Sequence, residues 1–331
     1  MFNNQKVSII LTVLNEGAAL RELLDALLAQ SHPADEIVLV DGGSRDGTQG
    51  ILEDYARKSS RVRFFVEPGV NISLGRNIAI TRSTGDIIAV TDGGCQPDKD
   101  WLKELLQPFA ADPAIGAVSG RFVPVYLNTF EYFCGNLSIP DQTDPSHAGK
   151  FYGRSSAFLR ELWQRAGGYP EWLYTGEDTL FAIKAGRLGY KVVYAPRSLI
   201  EWRPRPTLRK MAKMFYLYGK GNGRIQNGDL KTALYWLRNH ALLLLSLLAG
   251  FITPWFWLVS AYMLYLFIGT LILPDLNKPE LRNSSPLARL FYTPIIVMTR
   301  NLSIHLGYVR GHREYLTNPE FKERLDAYLK P

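Results

Sequence analysis

The stretch DIIAVTDGG, residues 86–94, joins a run of apolar residues to an aspartate and two glycines. The run is typical of a buried strand, and Asp92 stands where that strand ends. Similar β-rich runs alternate with helical stretches from Lys6 to about Pro196, which indicates an α/β domain with a mainly parallel sheet. Such sheets bind ligands beyond the carboxyl ends of their strands, so Asp92 is a candidate binding residue.

The same alternation on both sides of this stretch predicts the neighbouring elements. The predicted strands are VSIILTVL, EIVLVDGG, VRFFVEP and AIGAVSGRF, and the predicted helices cover Ala18–Gln30, Asp46–Arg57, Leu74–Thr81 and Lys99–Phe109. The first helix has an apolar face formed by Leu20, Leu23, Leu24, Leu27 and Leu28. The predicted order is therefore β-α-β-α-β-α-β.

Length, charge and cysteine content limit the possible organisation and partners of the chain. The 331 residues, 47% hydrophobic and 21% charged, suffice for one large domain or two moderate ones. The net charge of +7 is concentrated between Glu201 and His240, where nine Lys or Arg face two acids, which indicates an anionic partner. Two cysteines without CxxC spacing, Cys95 and Cys134, argue against disulfides and structural zinc and favour a reducing compartment.

A segment without charged residues follows this basic window, from Ala241 to Pro274. It is too long for one membrane span of about 20 residues and suits two, with a turn at Pro254. A pair of buried core helices is the alternative, although soluble helices rarely lack charge over such a length. Leu208–Tyr218, within the basic window, fits an interfacial amphipathic helix and a packed surface helix equally well.

A third apolar stretch, Leu287–Val309, contains Arg289, Arg300 and His305. These side chains make spanning costly unless they face protein or water, so the stretch is interfacial, re-entrant or a third span. Positive residues on both sides of the apolar part favour an even number of crossings. The run Val7–Leu14 is too short for a signal peptide, which predicts a cytoplasmic first domain. Nucleic acid is not an expected partner, because the basic window adjoins the apolar segment and no recognition helix.

Polar side chains follow several predicted strands at the edge where ligands bind. Asn15 and Glu16 follow the first strand, Asp41 follows the second, and Asp92 follows a later one. These side chains either converge on one ligand or serve singly in Asx turns and helix caps.

The acid pair Glu177 and Asp178 opens a predicted helix that ends at Arg187. Acids in a first turn favour the helix dipole, which alone explains them. The functional alternative is that one of them is a general base that takes a proton from an attacking hydroxyl. No GxGxxG follows the first strand and no GxxxxGK[ST] occurs in the sequence, so a divalent cation on Asp92 is the candidate holder of a nucleotide's phosphates.

Several motifs occur in one characteristic order. They are VSIILTVLNE, EIVLVDGGSRDGT, LGRNIAI ahead of DIIAVTDGG, FYGRSSAFLRELWQRAGGYPE and TGEDTLFAIKAGRLGYKVVYAP. The succession resembles family 2 glycosyltransferases, nucleotide-sugar-dependent enzymes of the GT-A fold, over roughly Lys6–Pro196. RPTLRKMAKMFYLYGKGNGR and HLGYVRG resemble a membrane-associated bacterial subset that builds exopolysaccharide or other glycans on lipid carriers.

The resemblance implies a role for each matching position. It implies nucleobase and ribose contacts for Asn15, Glu16 and Asp41, donor-diphosphate contacts for Arg76 and Asn77, and metal binding for Asp92. It further implies that Asp178 is the catalytic base and that Glu177 is its neighbour.

One position departs from the family pattern, because Gly94 replaces the second Asp of the D-x-D motif. The resemblance implies Mg2+ or Mn2+ at Asp92, and the missing acid leaves open whether this cation is required. Asp98 and His147 are candidate substitutes, for which an exposed loop acid and a surface histidine are the plainer interpretations. A QxxRW motif of processive synthases is also absent, which favours addition of a single sugar.

The resemblance, taken with these patterns, implies an inverting glycosyltransferase that moves a sugar from a UDP-sugar to a hydroxyl of a lipid-linked or glycolipid acceptor. The expected location is the inner (cytoplasmic) membrane, with the catalytic domain facing the cytoplasm. The alternative is a catalytically inactive, membrane-anchored nucleotide-sugar-binding or scaffold protein. The predicted organisation is an α/β GT-A catalytic domain with a doubly wound mixed sheet at residues 1–200, basic interfacial helices at 201–240, a transmembrane hairpin at 241–274, and a membrane-associated segment with a cytoplasmic tail at 275–331.

Overall fold

The computed structural model describes residues 5–139 and 150–330. His147 lies outside the described residues, so its role as a substitute metal ligand stays a prediction. The chain divides into two compact units. The first comprises Met1–Val123, Asp141–Arg203 and Arg324–Pro331, and the second comprises Pro124–Pro140 and Pro204–Glu323.

The first unit is built on one mixed sheet. Its strands are β1 (Val7–Val13), β2 (Glu36–Asp41), β3 (Val62–Val66), β4 (Ile87–Thr91), β5 (Cys95–Pro97), β6 (Ile115–Pro124), β7 (Ser155–Leu159) and β8 (Lys191–Trp202). They lie in the order β3-β2-β1-β4-β7-β6-β8-β5. β1 pairs in parallel with β2 and β4, and β2 with β3, whereas β7 pairs antiparallel with β4 and β6, and β5 with β8.

Helices connect the strands and form the second unit. In chain order they are α1 (Ala19–Leu28), α2 (Thr48–Lys58), α3 (Ile72–Arg82), α4 (Trp101–Ala111), α5 (Thr129–Ser138), α6 (Arg160–Ala166), α7 (Glu177–Arg187), α8 (Leu208–Arg224), α9 (Leu230–Gly250), α10 (Phe256–Phe267), α11 (Leu273–Leu276), α12 (Pro286–Thr317) and α13 (Pro319–Leu329). A π-helical turn, Ile268–Ile272, joins α10 to α11. A short 3-10 turn, Pro279–Leu281, precedes α12.

The parallel part of the sheet is the core of the first unit. All residues of β2 and β4 are buried, as expected for strands covered on both faces. On α1 the predicted apolar face packs inward through Leu20, Leu23, Leu24 and Leu27, while Leu28 is partly exposed. Strand ends at the carboxyl edge therefore have fixed positions, because the strands that carry them are packed on both sides.

The second unit contains one continuous apolar helix, Phe256–Leu276, formed by α10, the π turn and α11. Within the described residues it is the one helix long and apolar enough to cross a membrane, with a mean hydropathy of 2.0, judged by length and composition. Pro254 lies between the end of α9 and the start of α10, at the position where the sequence predicts a turn.

Glycines bring α8 and α12 into direct backbone contact. A Cβ atom on Gly219 would lie 1.9 Å from the carbonyl oxygen of Ile304, and one on Gly307 would lie 2.0 Å from that of Tyr216. The motifs are GKGNG, residues 219–223, and GYVRG, residues 307–311. Small residues spaced by four allow such close helix packing. This contact explains why these two segments, 83 residues or more apart, carry the same glycine spacing.

Charged groups of the third apolar stretch bond to protein. Arg300 donates to the carboxylate of the buried Asp275 at 2.7 Å, and Lys278 pairs with the same carboxylate at 2.9 Å. The Arg289 guanidinium donates to the carbonyl oxygens of Arg282 and Ser284 at 3.0 and 3.3 Å. Protein groups thereby compensate the two arginines whose charge makes this stretch a poor simple span.

Candidate functional site

The loops after β1 and β2 are tied together through Ser44. Asn15, with a φ of +56°, donates its backbone N–H to the Ser44 hydroxyl at 2.8 Å, and its side-chain oxygen accepts from the Arg45 N–H at 2.9 Å. Asp41 is fully buried and accepts from the Ser44 N–H and hydroxyl and from the Gln49 amide. Two of the predicted donor-binding residues are therefore held in one hydrogen-bonded corner.

Glu16 connects this corner to the end of β4. A Cβ atom on Gly93 would lie 2.2 Å from the Glu16 carboxylate, so glycine leaves room for that side chain in its present position. The backbone N–H groups of Glu16 and Gly17 both donate to the Thr48 hydroxyl oxygen at 3.1 Å. The first and fourth strand ends thus meet, as the sequence predicts for an open sheet.

Arg76 is the centre of a buried charge cluster. This side chain of α3 is 2% exposed and donates to Asp92 at 2.8 Å and to Glu177 at 3.0 Å. Its guanidinium also lies over the Tyr169 ring, 5.4 Å from the centroid. A Cβ atom on Gly153 would lie 2.6 Å from one guanidinium nitrogen. The structure therefore brings together three predicted site residues that are up to 101 positions apart in sequence.

Burial shapes the ionisation of this cluster. Burial, the largest single influence, lowers the pKa of Arg76, but the charges of Asp92, Tyr169, Glu177 and Asp178 together outweigh it, so this pKa lies above its usual value. Burial, together with the neighbouring Asp178 charge, raises the pKa of Glu177 to about 7, although Arg76 opposes this shift. The pKa of Glu177 thus lies well above the usual range for a carboxyl group.

Asp178 lies beside the cluster at the start of α7. Its carboxylate accepts from the Gly153 N–H at 3.1 Å and from the Thr179 N–H at 2.7 Å. The helix begins after Gly176, which has a φ of +84°, a conformation that glycine adopts without strain. Burial, followed by the Asp178 charge, raises the pKa of Tyr152 to about 12. Asp178 is half-buried and so remains accessible to a reacting group.

The side chain of Asn77, the neighbour of Arg76, forms hydrogen bonds with several protein groups. Its side-chain oxygen accepts from the Trp163 indole at 3.0 Å and from the Tyr169 N–H at 2.8 Å. Its amide nitrogen donates to the Tyr169 carbonyl and to the Glu171 carboxylate, both at 2.9 Å. These bonds position Tyr169 beneath Arg76. The predicted contact of Asn77 with a donor diphosphate stays a prediction.

Asp92 is the candidate cation ligand. Its side chain is 33% exposed, and one oxygen accepts from Arg76. Gly94, with a φ of +72°, has no atom near the position of a Cβ. Among residues 5–139 and 150–330 no group of three His, Cys, Asp or Glu side chains could hold a metal ion, and the Asp98 carboxylate accepts from the Asp100 N–H at 3.0 Å. The donor set therefore fits a cation that takes one carboxylate and obtains its other ligands from a diphosphate and water.

Three contributors were not singled out from the sequence. Gly93 and Gly153 make room for Glu16 and Arg76, and Arg154 lies over the rings of Phe122 and Trp202, at 4.8 and 4.2 Å from their centroids. All three residues lie within two positions of the paired ends of β4 and β7, and this location is the feature that could have identified them.

The architecture is that of the GT-A fold. The fold resembles the mannosyltransferase PcManGT from Pyrobaculum calidifontis, solved in complex with GDP-Man and Mn2+, with a TM-score of 0.58 and 21% identity. The similarity covers 96% of this chain and 89% of that one. The predicted fold class, a GT-A mixed sheet, is confirmed.

Matches to family models assign the chain to a family within this fold. The model described as Glycosyl transferase family 2 matches residues 8–164, and the model described as Glycosyl transferase family group 2 matches residues 96–298, more than half of the chain. The chain belongs to glycosyl transferase family group 2. The predicted family is confirmed, and the protein is a glycosyltransferase that uses a nucleotide-sugar donor.

Curated relatives agree with this assignment. Glycosyltransferase AglE of Haloferax volcanii is 26% identical over 74% of this chain and 81% of its own length. The O-antigen chain rhamnosyltransferase RfbN of Salmonella typhimurium is 26% identical over 64% of this chain and 70% of its own length.

Proposed function

We propose that this glycosyltransferase transfers a sugar from a UDP-sugar, with inversion at the anomeric carbon, to a hydroxyl of a lipid-linked glycan. One observation carries the proposal: the Gly153 peptide lies between Arg76, which is paired with Asp92, and Asp178. A charge that faces the leaving diphosphate and a base that faces the acceptor are the two functions that an inverting displacement requires.

On the donor side, the corner formed by Asn15, Glu16 and Asp41 suits a nucleoside, and Asp92 suits the diphosphate. When bound, a divalent cation such as Mg2+ or Mn2+ would stabilise the negative charge that develops on the leaving diphosphate. Asp92 would hold it. Arg76 keeps the Asp92 carboxylate in place through its 2.8 Å bond. The Mn2+ and GDP-Man bound by the mannosyltransferase PcManGT support this choice of ligand class.

On the acceptor side, Asp178 suits the role of general base better than Glu177. Glu177 is buried against Arg76, whereas Asp178 is half-buried and is oriented by two backbone N–H donors. Asp178 takes the proton of the acceptor hydroxyl as its oxygen bonds to the anomeric carbon. The bond from that carbon to the diphosphate breaks at the same time, and the nucleoside diphosphate leaves.

The lipid-linked acceptor is supported by the surface of the second unit. Large apolar side chains of the α9–α10 segment are strongly exposed, including Phe251 (82%), Ile252 (87%), Trp255 (76%) and Tyr265 (72%). Exposed patches of this kind mark membrane contact, and basic residues near them attract anionic headgroups. We further propose an inner-membrane location with the first unit in the cytoplasm, where a lipid-linked acceptor would meet a nucleotide sugar.

Asp178→Asn tests the assignment in the full-length protein. With membrane lipid extract and a panel of nucleotide sugars, we expect nucleoside diphosphate release to fall by about 10²–10⁴-fold while donor binding is retained. Asp112→Asn, a surface acid paired with Lys191, is the matched control. An unchanged rate for Asp178→Asn would refute the base. Binding of donors without release from any of them would instead indicate a nucleotide-sugar-binding scaffold protein.

A further inference from the structure

The last turn of α13 is hydrogen-bonded to the loop that follows α6. Residues of α13 from Arg324 onward belong to the first unit, and Leu325 among them is buried. The Tyr328 hydroxyl donates to the carbonyl oxygen of Gly168 at 2.8 Å. Burial raises the pKa of Tyr328, so this hydroxyl stays protonated near neutral pH and remains a donor.

The peptide unit between Gly168 and Tyr169 is held at both ends. Its carbonyl oxygen accepts from Tyr328, and its N–H donates to the side-chain oxygen of Asn77 at 2.8 Å. A peptide unit is planar and rigid, so two bonds at its opposite ends fix the direction in which the chain enters Tyr169. Loss of either bond leaves the unit free to rotate about the other.

The ring of Tyr169 contacts both sides of the buried charge cluster. The Arg76 guanidinium lies 5.4 Å from the ring centroid, and Phe181 of α7 stacks on the same ring with the centroids 4.8 Å apart. Phe181 lies one helical turn after Glu177, whose carboxylate accepts from Arg76. The position of this ring is therefore linked to that of Arg76 directly and to that of α7 through Phe181.

The same end of α13 is also bonded to the last turn of α7. The buried Lys184 donates to the carbonyl oxygen of Lys330, and Arg187 donates to that of Leu329 at 2.8 Å. Cationic side chains are favourable at the C-terminal end of a helix, where the last carbonyl groups lack helical partners. The end of α13 is thus anchored to the helix that begins with the proposed base.

We propose that Tyr328 is a positioning residue for sugar transfer, which acts through the Gly168–Tyr169 peptide to hold the Tyr169 ring against Arg76. The assignment rests on the proposed role of Arg76 and Asp92 at the donor diphosphate. Without the hydroxyl, the peptide is held only at its N–H end, so conformers with a displaced ring become populated. In those conformers Arg76 lacks one of its contacts, and the cluster is less well ordered when the diphosphate leaves.

Tyr328→Phe in the full-length protein tests this role, because it removes one hydroxyl and keeps the ring. Hydrogen exchange resolved at the Tyr169 amide reports on the peptide without turnover, and we expect it to be about fivefold faster, the worth of one neutral hydrogen bond. Kinetics use the nucleotide sugar that gives the highest wild-type rate with membrane lipid extract. We expect kcat to fall by about the same factor while the donor KM changes little, because charge develops on the diphosphate only in the transition state.

Two comparisons separate positioning from general stability. Tyr55→Phe is the matched control, because it also removes a tyrosine hydroxyl, one that donates to Asp25 at 2.6 Å between α2 and α1. It should lower the melting temperature and leave both kcat and exchange at Tyr169 unchanged. In a double-mutant cycle with Tyr169→Leu, Tyr328→Phe should cost no further activity once the ring is absent.

The assignment of Tyr328 fails if Tyr328→Phe leaves either exchange at Tyr169 or kcat at the wild-type value. It fails equally if Tyr55→Phe loses as much kcat, or if the effect of Tyr328→Phe is undiminished in the Tyr169→Leu background. A product that retains the configuration of the donor, or transfer from a donor other than a UDP-sugar, would refute the proposed function and leave the role of Tyr328 intact.

Discussion

Glycines are decisive in both units, but they make room for different things. In the first unit, Gly93 and Gly153 leave space for charged side chains, the Glu16 carboxylate and the Arg76 guanidinium. In the second unit, Gly219 of α8 and Gly307 of α12 leave space for the carbonyl oxygens of Ile304 and Tyr216. A side chain that is displaced can rotate, whereas a displaced backbone moves a whole helix. We therefore expect substitutions at the first pair to affect the proposed chemistry and substitutions at the second pair to affect helix packing.

Among the variants that test this comparison, Gly153→Ala should produce the largest change, and the change should be in activity. The new methyl group meets the Arg76 guanidinium at 2.6 Å, and Arg76 is too buried to move without leaving Asp92 or Glu177. A displacement of about 1 Å at a reacting site costs about a hundredfold in rate, so we expect kcat/KM to fall by that order. Sugar-transfer kinetics and a melting curve measure the two effects separately.

Gly186→Ala is the matched control for this variant. Gly186 lies in α7, and no atom is near the position of its Cβ. We expect equal or slightly higher stability and full activity, because alanine favours a helix more than glycine does. A loss of activity in the control equal to that of Gly153→Ala would show that the cause is the fold of the unit and not the contact with Arg76.

Gly307→Ala should reverse the pattern, with stability changed more than donor binding. Its methyl group meets the Tyr216 carbonyl oxygen at 2.0 Å, so α8 and α12 must separate. Overpacking of this kind costs about 1–3 kcal/mol. Thermal unfolding in detergent should shift downward while UDP affinity is kept. Gly269→Ala, where the Cβ meets open space, is the control. Lost UDP affinity without a shift in unfolding would contradict the division of roles.

Glu177→Gln should give the smallest effect, which is a change in how the stability of the protein depends on pH. Its pKa is raised from 4.5 to about 7 in the folded chain, so the folded state binds the proton more tightly than the unfolded state. Stability therefore falls as pH rises from 4.5 to about 7. Glu177→Gln cannot titrate, and its melting temperature should decline less across that window. Parallel curves for the two proteins would contradict the raised pKa.

The sequence indicated the strand ends correctly, because apolar runs followed by Asp or Asn have a local signature. Asn15, Asp41 and Asp92 were identified for this reason. Gly153 was missed because its role depends on a tertiary contact with Arg76, which periodicity does not encode. The end of α8 was placed at Tyr218 but lies at Arg224. Tertiary packing against α12 sustains the helix through glycines with a low intrinsic helix propensity.

The buried position of residue 153 has a consequence for the geometry of the reaction. Its N–H donates to the carboxylate of Asp178 at 3.1 Å, and a Cβ atom on it would lie 2.6 Å from the guanidinium that donates to Asp92. One residue without a side chain therefore touches both the proposed base and the arginine that holds the proposed cation ligand. A substitution at this single position disturbs both sides of the proposed reaction at once.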